Sequence, residues 1–88
     1  MSEFEGIVND VAASIYEIVR VSCSSTGEVA VKFRSRSGKS TWPAFFHFDE
    51  QTGDFTCTAT YTSSGALRRF GSEVRGRIRS SQVPLSAH

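Results

Sequence analysis

The sequence predicts an α+β fold of order α-β-β-β-α, a three-stranded antiparallel meander with two helices packed on one face. Three observations predict it. Apolar residues recur at helical spacing toward both ends of the chain. Period-two alternation fills the middle. Two short loops inside that middle set registers that place apolar residues opposite apolar residues on one common face.

The first helix is expected over residues 3–20. Ser2 suits the N-cap, and Glu5 three residues on completes a capping-box pattern. Phe4, Ile7, Val8, Val11, Ile15, Ile18 and Val19 form its apolar stripe. Glu3 and Glu5 complement the positive end of the helix dipole. After Val21, the run Ser22-Cys23-Ser24-Ser25-Thr26-Gly27 reads as loop.

Three strands are expected over residues 28–35, 41–49 and 54–62. In the first, Val29, Val31 and Phe33 alternate with Ala30, Lys32 and Arg34. In the second, Trp42, Ala44, Phe46 and Phe48 share a face. In the third, Phe55, Cys57, Ala59 and Tyr61 oppose a threonine row at 56, 58, 60 and 62. Such alternation of β-branched and aromatic residues marks strands. The loops Arg36-Ser37-Gly38-Lys39 and Glu50-Gln51-Thr52-Gly53 suit hairpins. They align Phe33 with Trp42, Val31 with Ala44 and Val29 with Phe46. On the other side they align Phe48 with Phe55, Phe46 with Cys57, Ala44 with Ala59 and Trp42 with Tyr61. The first and third strands would then be the sheet's two uncovered edges.

The second helix is expected over residues 64–80, with Leu67, Phe70, Val74 and Ile78 turned inward. Glu73 lies four residues from both Arg69 and Arg77. Gly71 and Gly76 each cost about 1 kcal/mol against Ala in a helix interior. They either permit close packing or fray the helix.

At 88 residues, with 39% hydrophobic and 11% aromatic content, the chain has the composition of a folded domain and not of a disordered one. One domain is expected over residues 1–80, and the polar stretch 81–88, broken by Pro84, reads as a flexible tail. A net charge of +1 gives no global polyanion signal. The charge is nevertheless uneven. Residues 1–22 hold four carboxylates against one arginine, and residues 63–88 hold five arginines against one glutamate. No signal-peptide pattern and no membrane-length apolar run is present, so a cytoplasmic location with two free thiols, Cys23 and Cys57, is expected. Cys57 is placed on the buried face and Cys23 in the loop.

An antiparallel sheet leaves one face open to solvent. Lys32, Arg34, Pro43, Phe45, His47 and Thr58 are assigned to that face as the candidate interaction surface. Phe45 in the central strand is either the centre of a binding or dimerisation patch or a lone exposed aromatic. His47 faces Glu28, a pairing that could make a general base, but no nucleophile or cleft accompanies it. No catalytic residue, metal ligand or cofactor is therefore assigned. A second candidate surface is basic: Arg36 and Lys39 at the first hairpin, with Arg68, Arg69, Arg75 and Arg79 on the second helix.

The α-β-β-β-α order resembles the double-stranded RNA-binding domain. The family's Gly-Pro-His loop is replaced here by Arg36-Ser37-Gly38-Lys39, and its lysine cluster is matched loosely by Arg68-Arg69. The stretch from Trp42 to Tyr61, with Phe46, Phe48, Asp49, Gly53 and Phe55, is similar to a hairpin of small immunity proteins of bacterial polymorphic toxins. That likeness covers about a quarter of the chain, and it implies action by masking another protein. Two expectations follow. The first is a non-catalytic protein-interaction module, adaptor- or immunity-like, bound to a protein partner or to itself as a dimer. The second is a nucleic-acid-binding domain.

Overall fold

The computed structural model describes residues 2–86, with side chains through Ser81. Ser2 caps the first helix, α1 (Glu3–Ala13), by accepting a hydrogen bond from the Glu5 amide at 3.1 Å. The helix stops at Ser14, whose amide bonds back to Val11. It is therefore seven residues shorter than its apolar periodicity suggests. Ile15, Ile18 and Val19 sit at helical spacing, but Ile18 and Val19 begin a β-branched run that instead forms a strand, β1 (Ile18–Cys23).

Three further strands follow: β2 (Glu28–Arg34), β3 (Thr41–Asp49) and β4 (Asp54–Thr60). The sheet is antiparallel and four-stranded, in the order β1-β2-β3-β4. The expected three-stranded meander is thus corrected to α-β-β-β-β-α, and the element order that resembled the double-stranded RNA-binding domain is not the one present. β2 is an interior strand; β1 and β4 are the edges. The physical reason is simple. β2 flanked only by β3 would leave its outer N–H and C=O groups unpaired, and the Ile18–Cys23 segment satisfies them.

The β2–β3 register matches expectation throughout, with Phe33 opposite Trp42, Val31 opposite Ala44 and Val29 opposite Phe46. The β3–β4 register matches only for its first half, with Phe48 opposite Phe55 and Phe46 opposite Cys57. A bulge then leaves Thr58 without a partner, and its hydroxyl donates to the Phe45 carbonyl at 3.2 Å. Past the bulge the faces exchange. Ala59 lies opposite Phe45 and Thr60 opposite Ala44, while Tyr61 leaves the strand and is 85% exposed. A similar irregularity at Val19 turns that side chain outward, so that Ile18, Val21 and Cys23 all pack toward the core.

The closing helix, α2 (Gly65–Ser86), is continuous through Gly71 and Gly76. It runs past Ser80, where the periodicity ends it. The expected tail at 81–88 therefore overlaps the helix up to Ser86, and residues 87–88 lie outside the described residues. α1 lies against α2 and β1, and α2 against β4, so both helices cover the same face. Six of the seven phenylalanines fill the layer between sheet and helices. Phe46 stacks on Phe55 at 5.0 Å, Phe70 meets both edge-on, and Phe4 stacks on Phe48 at 4.2 Å. The seventh, Phe45, lies on the opposite face.

Candidate functional site

The open face is built by alternation along β2 and β3. Glu28 pairs with His47, Ala30 with Phe45, Lys32 with Pro43 and Arg34 with Thr41. Phe45 is 44% exposed. Ala30 flanks it on β2 and, because of the bulge, Ala59 flanks it on β4. Two small neighbours leave the ring standing above the sheet. Thr58 is exposed beside it. The bulge could have been suspected only from what it does to Ala59, since the Thr/apolar alternation of the third predicted strand runs unbroken through it.

The six residues assigned to this face do not all present themselves to solvent in the same way. Lys32, Pro43 and Phe45 are exposed. His47 Nδ1 lies 2.8 Å from a Glu28 carboxylate oxygen, and both side chains are substantially exposed. Among the described residues, no hydroxyl or thiol is hydrogen-bonded to either side chain of that pair. Arg34 is half-buried and committed to structure: its Nε and Nη2 donate to the Tyr16 carbonyl at 3.0 and 2.8 Å, and its guanidinium lies 4.0 Å above the Tyr16 ring centre. Arg34 thus ties the α1–β1 connection to β2 and is not a free contact.

The basic residues divide into two groups. At the β2–β3 hairpin end, a shallow cleft of about 500 Å³ brings Arg34 and Arg36 near Arg69 of α2, beside Trp42 and Ser64. Arg69 there donates to Glu73 at 2.6 Å. Lys39 is exposed on the same hairpin. The indole N–H of Trp42 is buried with no acceptor among the described residues, while its ring stacks on Phe33 at 5.9 Å. The second group, Arg68, Arg75 and Arg79, lies on the other flank of α2. Residues at i, i+7 and i+11 fall within about 40° of one another on a helix. Arg75 Nη1 donates to the Phe55 carbonyl of β4 at 3.0 Å, which fixes this flank alongside the β4 edge.

At the opposite end, a cleft of about 900 Å³ is lined by Glu3, Glu5, His47, Asp49 and Glu50 over the Phe4–Phe48 stack. Both cysteines are free thiols. Contrary to expectation, Cys57 is exposed, because β4 is an edge strand that the helices do not fully cover, and Cys23 belongs to β1. Burial, and secondarily the Glu5 carboxylate, pushes the Cys23 thiol pKa up. Among the described residues, no three His, Cys, Asp or Glu side chains converge, and no helix is long and apolar enough to cross a membrane. Comparison of the chain with protein-family models, curated proteins and solved structures gave no match.

Proposed function

We propose that the chain is a small, non-catalytic protein-interaction module that presents its open sheet face to a protein partner or to a second copy. One observation carries this reading. Phe45 stands exposed at the centre of a four-stranded sheet, between two alanines, with Pro43 and Lys32 beside it. An aromatic ring raised above small neighbours and rimmed by polar groups is the form of an interface anchor. The test is a tagged pull-down with Phe45→Glu, run with and without nuclease, beside light scattering. The variant should fold normally and lose a nuclease-resistant partner or its own dimer. A folded variant that keeps its partner and its oligomeric state removes the reading.

Nucleic-acid binding is the second reading. It is favoured by the cleft that brings Arg36 of the hairpin to Arg69 of α2. Its support is weakened by what those groups already do, since Arg34 is held by Tyr16 and Arg69 by Glu73. Loss of the captured material on nuclease treatment, with an affinity that falls steeply with salt, would favour it over the first.

A further inference from the structure

The two sheet edges differ. β1 carries a backbone irregularity at Val19 and a charge at Arg20, two devices that discourage strand addition. β4 ends the sheet on the other side; Asp54 at its start is charged, and from Phe55 to Ser64 no charged residue follows. Thr56, Cys57, Thr58, Ala59 and Thr60 are all exposed. The Phe55 carbonyl points away from β3, because it is reached by Arg75. That contact places one edge acceptor, and the helix flank bearing Arg68, Arg75 and Arg79, on the same side.

From Arg68 to Arg75 the helix rises about 10 Å, alongside the β4 edge, and Arg79 lies about 6 Å further on, level with the start of the strand. The chain turns back between β4 and α2, so Arg75 lies near the start of β4 and Arg68 near its end. Arg68 there donates to Ser63 at 3.3 Å. A strand edge with no neighbouring strand, its Phe55 carbonyl held by Arg75, thus runs beside a row of guanidinium groups.

We infer that β4 accepts an acidic extended segment of a partner protein as a fifth strand, with carboxylates on one face of that segment meeting Arg68, Arg75 and Arg79. This rests on reading the chain as a protein-interaction module, and it names the partner's chemistry. Main-chain pairing supplies the docking, and the arginine row selects the charge. The same row argues against a second copy as the occupant. A two-fold β4–β4 pairing would set α2 beside its mate, with arginine row facing arginine row. Arg75 leaves Phe55 when the incoming strand takes that carbonyl.

The experiment uses the full chain, isotope-labelled, titrated with an end-blocked peptide of about ten residues alternating Glu with Val. Four probes accompany it: the Lys-for-Glu peptide, two Glu peptides N-methylated at alternate residues in the two possible registers, and a single-stranded oligonucleotide of equal charge. The Glu peptide should shift the β4 amides and give cross-strand contacts to them. The Lys and one N-methylated form should fail to bind, and Arg68→Glu with Arg79→Glu should weaken binding at least tenfold. No binding of the Glu peptide at millimolar concentration, insensitivity to N-methylation in both alternating registers, or equal binding of the oligonucleotide at β4 would overturn the proposal. So would a concentration-dependent dimer paired through β4. Phe45→Glu separates the two ideas. If it loses a cellular partner while the peptide fails to bind, the open face stands and the edge falls. If it keeps the partner and the double arginine variant loses it, the edge stands and the open face falls.

Discussion

Gly27 shows how one residue fixes a junction. Its φ is +88°, in the left-handed region that a side chain disfavours. A Cβ at that position would also run into the backbone carbonyl of Phe48, which cannot swing aside as a side-chain tip could. The close approach is used: the Phe48 amide donates to the Gly27 carbonyl at 2.8 Å, extending the β2–β3 pairing past Glu28. Gly27→Ala should therefore destabilise the fold by about 2 kcal/mol or more, combining left-handed strain with the clash. Urea unfolding measures it, and a change within 0.5 kcal/mol, the range of an ordinary surface substitution, would mean that the junction simply shifts. Arg34 makes the complementary point. Its place on the open face follows from alternation, but its bond to Tyr16 depends on a connection between α1 and β1 that periodicity had absorbed into the helix.

At the scale of elements, what was legible is what local pattern controls. The hairpin from β2 to β3 follows from one alternation and one four-residue turn, and its register is as expected. Two features were not legible. β1 was hidden because Ile15, Ile18 and Val19 satisfy helical spacing as well as strand composition, and the choice between them is made by pairing with a distant β2. The bulge was hidden because it leaves no mark in the alternation; the Thr58 bond to the Phe45 carbonyl that accompanies it is seen only in the fold. The glycines of α2 illustrate a third limit. Gly76 is exposed, and a Cβ there would meet nothing within 4 Å. At Gly71 a Cβ would lie 3.2 Å from the Arg75 guanidinium and 3.5 Å from the Phe46 ring. Gly76→Ala should thus stabilise the protein by about 1 kcal/mol through helix propensity alone. Gly71→Ala should gain less, since Arg75 must move off Phe55. Paired thermal melts test the difference, and equal gains would show that the Arg75 contact contributes nothing.

For the molecule as a whole, the division of its phenylalanines states the design. Six lie between sheet and helices and one faces outward, although Phe45 and Phe46 are neighbours in sequence on the same strand. An 88-residue chain is small enough that its stability falls toward the low end of the usual 5–15 kcal/mol. Phe46 is 2% exposed and in contact with both Phe55 and Phe70, so Phe46→Ala removes a ring from the centre of the aromatic cluster. The expected loss is about 3–5 kcal/mol, most of the margin such a domain has. Phe45→Ala removes a ring that is already 44% exposed and touches alanines, and its cost should stay near 1 kcal/mol or below. The two adjacent substitutions, compared by urea denaturation, therefore separate the fold from the surface. A large loss at both would place Phe45 in the structural core and take away the reason for reading the open face as a contact surface. A large loss at Phe46 alone leaves Phe45 as a residue whose exposed ring the fold does not need, and which is available for binding.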